Sequence, residues 1–180
     1  MAETLQNDPS LVDKVKMVYI MGGAFDVPGN IALSKVGIDN SVAEWNVFID
    51  PHAAAVVLKS GIPVTFVPLD ATNQAPITEV FYTRLGKERS TPAAEFVYRL
   101  LTRQFDLIHA GLYWFWDPLT AVISTDESLG TFTERSVTVV EEEGPENGAT
   151  RVTENGSPVR ITMTVDTQRF ETLFLDVLNG

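Results

Sequence analysis

Two uninterrupted apolar runs, separated by one helical segment, constrain the fold of this chain most. Residues 17–21 and residues 62–67 are each of strand length and contain mostly apolar or β-branched residues. A strand without polar alternation is covered on both faces, which is typical of parallel sheets. Between them, an Asp-Pro pair and a glycine mark the two ends of a predicted helix over residues 51–60. The three segments therefore predict a βαβ unit with a right-handed crossover.

The remaining segments predict helices around this unit and a change of architecture near the C-terminus. Helical signals occur before residue 16 and recur at three places between residues 77 and 123. After residue 131, apolar and polar residues alternate in three short segments separated by Asn-Gly turns, and Asp166 then caps a last helix. The predicted fold class is α/β: a Rossmann-like, partly parallel sheet flanked by helices, with a C-terminal antiparallel β-meander and a terminal helix. We expect a single domain over residues 1–180.

Charge and cysteine content exclude several classes of protein and site. The net charge of −11 argues against a general binder of nucleic acid or anionic membranes, since both are polyanions. The absence of cysteine excludes disulfides, zinc–thiolate sites and a thiol nucleophile. No apolar run reaches the ~18 residues of a membrane span, and the N-terminus is polar, so we expect a cytoplasmic protein. His52 and His109 have no suitably spaced partner, and we predict structural or surface roles for both.

Five polar residues lie where α/β proteins usually bind their ligands. They stand near the ends of apolar runs, next to glycines and helix starts: Asn30, Glu44, Asn46, Asp70 and Asp117. In open α/β sheets ligands bind at the C-terminal ends of the strands, and the long segment 24–43 leaves one such end. Carboxylates and carboxamides suit a polyhydroxylated ligand together with a hard cation. Simpler interpretations remain open: Asn30 as a turn residue, Asn46 as a strand-edge or turn group, and Asp117 as a helix cap.

The order and spacing of these motifs resemble a known family. M-G-G, G-N, A-E-W-N, D-P-x-A-A, V-P-L-D-A-T and W-D-P-L follow one another over most of residues 4–123. This series is similar to the C-terminal half of the inosine–uridine-preferring nucleoside hydrolases. The resemblance implies hydrolysis of the N-glycosidic bond of ribonucleosides. It also implies a Ca²⁺ ion that holds the ribose hydroxyls and the attacking water, and an aspartate that takes the proton of that water.

The resemblance also implies a role for each matching residue. Five are expected to bind the substrate: Met21 beside the sugar, Asn30 at a ribose hydroxyl, Glu44 and Asn46 at the 5′ side of the ribose, and Trp116, whose ring can stack on the base. Asp117 is expected to be a calcium ligand. The resemblance assigns no contact to Asp70, and we expect this residue to be a structural capping group.

Two departures from the family pattern change these expectations. The family opens with a D-x-D-P-G-x-D-D block that supplies the general base and most calcium ligands, and this chain has no such block. The catalytic residues are therefore unknown, and Asp117 alone falls far short of the 6–8 oxygens that Ca²⁺ takes. In addition, Trp116 stands where many members carry a histidine that protonates the leaving base.

We therefore expect the isolated chain to be inactive or weakly active. It should act on a small-molecule nucleoside, either as a homo-oligomer or together with an N-terminal half that supplies the missing block. Two alternatives remain open. The first is a nucleoside-binding remnant that has lost the metal chemistry, and the second is an unrelated sugar-binding α/β module with similar motifs.

Overall fold

A computed structural model describes residues 1–34 and 37–180 of the chain. Its α-helices are α1 (Ala2–Asn7), α2 (Trp45–Ile49), α3 (Pro51–Lys59), α4 (Leu69–Thr72), α5 (Glu79–Glu88), α6 (Pro92–Arg103), α7 (Phe105–His109), α8 (Trp116–Thr125) and α9 (Thr167–Asn179). Its strands are β1 (Val18–Met21), β2 (Val64–Val67), β3 (Gly130–Val139), β4 (Thr150–Val152) and β5 (Ser157–Val165). Short 3-10 helices lie at Pro9–Lys14, Ile31–Ser34 and Glu127–Leu129. The segment 24–43 contains the two residues outside the described ranges.

The predicted βαβ unit is confirmed. β1 and β2 pair in parallel, with Val18 beside Val64 and Met21 beside Val67, and α3 lies between them in the chain. The Asp50 carboxylate accepts a hydrogen bond from the Ala53 N–H at 2.9 Å, which caps α3 as the Asp-Pro pair predicts. Both strand ends therefore point to the same edge of the sheet, where the polar motifs follow.

The strands form one mixed sheet, which confirms the α/β class. Their order is β1-β2-β5-β3-β4. β5 continues the parallel part of the sheet beside β2, whereas β4 pairs antiparallel with β3 at the far edge. β1 forms the opposite edge.

The order of the three C-terminal strands differs from a simple meander. In a meander β4 would lie between β3 and β5, but β5 lies between β2 and β3. The connection from β4 to β5 therefore crosses over β3, and Gly156 lies at the crossing. A Cβ atom on Gly156 would be 2.4 Å from the backbone nitrogen of Val137 in β3. Only glycine allows this approach without a shift of one of the two segments.

Residue contacts divide the chain into two units. The first comprises Met1–Ala71 and Thr131–Thr164 and contains the sheet with α1, α2 and α3. Side chains of the sheet and of α3 form its core, among them Phe66, Val137, Ile161 and Leu58. The single domain expected over residues 1–180 is not tested by this division and stays a prediction.

The second unit is helical and has an aromatic core. It comprises Thr72–Gly130 and Val165–Gly180. The Phe115 ring meets Phe81 edge-on at 4.7 Å and Phe170 at 5.0 Å, which joins the segment before α8 to α5 and α9. Among the described residues, no helix is long and apolar enough to cross a membrane.

Candidate functional site

The end of β1 is held by a buried carboxylate. Asp70, in the first turn of α4, accepts hydrogen bonds from the backbone N–H groups of Phe25 at 2.9 Å and of Asp26 at 2.7 Å. Only 8% of its surface is exposed. The expectation that Asp70 is a structural capping group is therefore confirmed, since its oxygens bind the backbone that leaves β1.

Glu44 performs a similar function on the other side of the same turn. One carboxylate oxygen accepts the backbone N–H groups of Gly23 at 3.2 Å, Asn46 at 3.0 Å and Val47 at 3.2 Å. Glu44 is the N-cap of α2 and is 2% exposed. A buried carboxylate needs such donors, since otherwise its desolvation would be very costly. These bonds fix the start of α2 against the end of β1.

Asn46 and Met21 are in contact at this junction. The Asn46 side-chain nitrogen donates to the Met21 carbonyl at 3.2 Å and lies 3.3 Å from the Met21 sulfur. Asn46 lies in the first turn of α2, not at a strand edge as one interpretation had it, and it is exposed. Its side-chain oxygen can accept a hydrogen bond from a polar ligand or from water.

Asn30 reaches α2 from the long loop. Its side-chain oxygen accepts the Trp45 N–H at 2.8 Å, and its backbone N–H donates to the Ala43 carbonyl at 3.0 Å. Within residues 1–34 and 37–180, the Asn30 side-chain nitrogen has no hydrogen-bond acceptor. The preceding Gly29 makes the approach possible, because a Cβ atom there would be 2.1 Å from the Ala43 carbonyl oxygen.

Two supporting residues have no signal in the sequence. Buried Asn40 accepts the N–H groups of Val42 at 3.1 Å and Ala43 at 2.9 Å, and donates to the Asn147 carbonyl at 2.8 Å. The Thr150 hydroxyl donates to the Ala24 carbonyl at 2.8 Å and accepts its N–H at 3.1 Å. Asn147 lies 107 residues from Asn40, and Ala24 lies 126 residues from Thr150, so no local motif predicts these two long-range contacts.

Trp116 and Asp117 lie in the second unit, at the start of α8. This helix begins at Trp116 with Phe115 as its N-cap, and no side chain caps it. The interpretation of Asp117 as a helix cap is therefore wrong, and its carboxylate is exposed in the first turn. The Trp116 ring meets Tyr113 edge-on at 5.4 Å and Trp114 at 5.5 Å. The Trp116 indole nitrogen is buried and has no acceptor in the described part of the chain.

Both histidines lie at the surface beside a glutamate, in agreement with their predicted roles. His52 Nδ1 lies 2.8 Å from a Glu141 oxygen, and His109 Nδ1 lies 2.7 Å from a Glu79 oxygen. Both imidazoles are 72% exposed. Neither pair joins a larger group of metal-ligating side chains.

The predicted site residues thus fall into two sets. Met21, Asn30, Glu44 and Asn46 meet around the start of α2 in the first unit. Trp116 and Asp117 are neighbours in the second unit. The described residues contain no group of three or more histidines or carboxylates that could hold a metal ion. Because Ca²⁺ takes 6–8 oxygens, this donor set does not fit a complete calcium site.

Comparison with known protein families gives one extensive match. Residues 1–172 match the family described as inosine-uridine preferring nucleoside hydrolase. An inosine-uridine preferring nucleoside hydrolase of Leishmania major is 30% identical over 98% of this chain and 56% of its own length. A pyrimidine-specific ribonucleoside hydrolase, RihA, of Shigella boydii is 33% identical over 97% of this chain and 56% of its own length.

Solved structures agree with the sequence comparison. A nucleoside hydrolase of the same description from Bacillus anthracis superposes with a TM-score of 0.82 at 30% identity and covers 99% of this chain. This chain covers 56% of that structure. A plant nucleoside hydrolase superposes with a TM-score of 0.84 at 26% identity, with 58% of its chain covered. The chain therefore spans little more than half the length of these relatives.

Proposed function

Since this chain is a member of the inosine-uridine preferring nucleoside hydrolase family, we propose that it binds the ribose of a ribonucleoside for hydrolysis of the N-glycosidic bond. The observation that carries the proposal is the meeting of four motif residues at one junction. Met21, Asn30, Glu44 and Asn46 come from three separate segments and are joined by hydrogen bonds around the start of α2. An amide donor without an acceptor among the described residues, together with the exposed Asn46 amide, suits the hydroxyl groups of a sugar.

Each residue of the junction has a proposed role. The side-chain nitrogen of Asn30, which has no acceptor within residues 1–34 and 37–180, donates to a ribose hydroxyl, while its oxygen stays bound to the Trp45 N–H. Asn46 binds the 5′ side of the ribose, and Met21 packs beside the sugar. Glu44 is proposed to bind the 5′ side as well. Its hydrogen bonds to Gly23, Asn46 and Val47 give it a second role, which is to hold Asn46 in place.

Trp116 is proposed to contact the base of the nucleoside. Its partly exposed ring lies at the start of α8, directly before the exposed Asp117. A base offers a flat face on which such a ring can stack.

We further propose that Ca²⁺ is the metal of the complete site and that Asp117 supplies one ligand. Exposed carboxylate oxygen is the ligand type that this hard cation prefers. The general base and most of the other ligands then come from an N-terminal half that carries the missing block, and a second copy of the chain is the other partner that could add ligands. This proposal is supported by the number of ligands that Ca²⁺ takes, since one carboxylate cannot supply 6–8 oxygens.

A second candidate function is nucleoside binding without hydrolysis. The observation that favours it is again the missing group of metal-ligating side chains in residues 1–34 and 37–180. In this case the ribose contacts remain and the chemistry is lost.

Calorimetry and an activity assay together separate the two candidates. We expect the chain alone to bind inosine or uridine and to release little base with Ca²⁺ present. The segment of the Leishmania major relative that precedes the matched region is then supplied as a fusion. Base release from the fusion supports the hydrolase, and binding without base release in either form supports the second candidate. Absence of nucleoside binding in both forms would contradict both.

A further inference from the structure

Three Asn-Gly pairs in this chain have the same local chemistry but different surroundings. They are Asn147-Gly148, Asn155-Gly156 and Asn179-Gly180. In such a pair the backbone nitrogen of glycine can attack the side-chain carbonyl carbon of asparagine, because glycine has no side chain to hinder the approach. Whether it does so in a folded protein depends on how firmly the amide and the backbone are held.

The first pair is held on both sides of the reacting bond. The Asn147 side-chain nitrogen donates to the carbonyls of Glu141 at 3.2 Å and Glu142 at 3.0 Å. The Gly148 N–H donates to the Val140 carbonyl at 2.8 Å. Gly148 also packs on Phe48, since a Cβ atom there would be 2.6 Å from the Phe48 Cα. Attack by the Gly148 nitrogen would require these contacts to open.

The third pair is also held. The Asn179 side-chain nitrogen donates to the Leu175 carbonyl at 2.9 Å, and its oxygen accepts the Ser90 N–H at 2.9 Å. The Gly180 N–H donates to the Asp176 carbonyl at 3.0 Å. Both ends of this asparagine amide are therefore bound.

Among the described residues, the Asn155 side chain lacks such hydrogen bonds, although Gly156, like Gly148, packs closely against backbone. It is exposed in the turn between β4 and β5, and within the described ranges its side chain makes no hydrogen bond. The Gly156 N–H is bound only by the longer contact of 3.2 Å to the Thr153 carbonyl. The side chain is thus free to turn its carbonyl carbon toward the Gly156 nitrogen.

We propose that Asn155 is a site of spontaneous deamidation in the folded protein and that Asn147 and Asn179 are protected. The Gly156 nitrogen loses its proton and bonds to the Asn155 side-chain carbonyl carbon, and the bond to the side-chain nitrogen breaks. Ammonia leaves with that proton, and a cyclic imide remains. Water then adds to one of the two imide carbonyls and gives aspartate or isoaspartate. The overall change exchanges ammonia for water and adds one negative charge.

The isoaspartate product also changes the crossing over β3. Its backbone contains an extra methylene group directly before Gly156, where the chain passes against Val137. Gly156 already lies so close to β3 that a Cβ atom there would be 2.4 Å from the Val137 nitrogen, and a longer backbone before Gly156 shifts this contact. Modification of Asn155 therefore weakens the connection between β4 and β5.

The test compares the three pairs within one molecule. The folded chain is incubated at mildly alkaline pH, digested after arginine at mildly acidic pH, and analysed by mass spectrometry. Cleavage after Arg135, Arg151, Arg160 and Arg169 places the three asparagines in separate peptides. We expect the mass increase that marks conversion of the amide to the acid to appear at least about tenfold faster in the peptide with Asn155 than in the other two peptides. Asn147 and Asn179 must first lose several hydrogen bonds before they can react.

An unfolded sample provides the control. In guanidinium chloride all three pairs lose their contacts and should react at comparable rates, and incubation continues until this sample has converted Asn147. Asn155→Gln should abolish the acidic form seen by anion exchange, since an exposed side chain without partners tolerates this change. Equal rates at Asn155 and Asn147 in the folded chain would overturn the proposal, and so would an unchanged Asn155 after the unfolded sample has reacted.

Discussion

The shape of the junction around the start of α2 depends most directly on Gly29. A Cβ atom at this position would be 2.1 Å from the Ala43 carbonyl oxygen. We predict that Gly29→Ala separates the loop from the segment before α2 and costs about 1–3 kcal/mol of stability, as overpacking usually does. Nucleoside binding should fall as well, because Asn30 moves with the loop. Urea unfolding and calorimetry measure the two effects.

The control for Gly29 is Gly61→Asn. Gly61 has a φ of +83° and no atom within 4 Å of a Cβ position. Asparagine tolerates this backbone region better than most residues, so stability should change little and nucleoside binding not at all. If Gly29→Ala behaved like this control, the close approach would not matter for the site.

Asn30 has one structural atom and one proposed functional atom, and a substitution can separate them. In the wild-type chain the Trp45 N–H donates to the Asn30 side-chain oxygen at 2.8 Å. Asn30→Asp keeps an oxygen for this bond but replaces the amide nitrogen with a second acceptor. We predict nearly unchanged stability and a loss of nucleoside affinity of roughly tenfold, since one hydrogen bond to the ligand is removed.

Asn30→Ala completes the comparison, because it removes both atoms. We expect it to lower the free energy of unfolding by about 1 kcal/mol through loss of the bond to the Trp45 N–H. It should weaken nucleoside binding too. Tight nucleoside binding by Asn30→Asp would show that the amide nitrogen does not contact the ligand.

At the scale of elements, Glu141 links α3 to the loop that follows β3. Its carboxylate accepts a hydrogen bond from Lys59 Nζ at 2.8 Å and lies 2.8 Å from His52 Nδ1. The hydrogen bond from Lys59, followed by that from His52, holds the pKa of Glu141 below its usual value. Since the folded carboxyl binds its proton less readily than the unfolded one, ionised Glu141 stabilises the folded state.

We predict that Glu141→Gln lowers stability by about 0.2–1 kcal/mol near neutral pH, as is usual for surface ion pairs. The stabilisation is fully present above the unfolded pKa of the carboxyl and is lost as the pH falls through its lower folded pKa. Thermal unfolding of both proteins from neutral to acidic pH should therefore show a difference that disappears in acid. Glu143→Gln, an exposed change of equal charge, should show no such difference. If the stability difference between the wild-type chain and Glu141→Gln stayed constant across this pH range, the ionised Glu141 carboxylate would not be its source.

The sequence predicted elements better than their arrangement. The apolar runs and the Asp-Pro pair identified β1, β2 and α3, because burial and capping act within a few residues. The order of β3, β4 and β5 was not predictable, since it depends on a crossing that only the contact between Gly156 and Val137 makes possible. α2 was missed because it has five residues and is capped by Glu44, which is not a common N-cap.

The same limit applies to the site. Family motifs brought Met21, Asn30, Glu44 and Asn46 into one list, and the structure joins them at one junction. No motif indicated that Asn40 and Thr150 hold the loops on either side, because their partners are distant in the chain. Sequence reasoning therefore found the residues that meet at the junction and missed those that hold the surrounding loops.

For the whole molecule, the main question is what would complete the proposed metal site. We predict that the fusion with the Leishmania major segment binds Ca²⁺ and that Asp117→Ala lowers its calcium affinity at least about tenfold, as expected when a charged ligand is removed. Removal of Ca²⁺ with a chelator should abolish base release. Calorimetry with Ca²⁺ alone measures the first effect, and base release from inosine measures the second.

The charge of the chain requires a matched control for this experiment. A net charge of −11 attracts Ca²⁺ everywhere on the surface, so loss of any carboxylate weakens binding slightly. Asp106→Ala removes an exposed aspartate in the first turn of a helix in the same unit, and it should leave calcium affinity and base release almost unchanged. Only a much larger loss at Asp117 than at Asp106 identifies a ligand. Equal effects of the two changes would mean that Asp117 acts through surface charge alone and that all calcium ligands lie outside this chain.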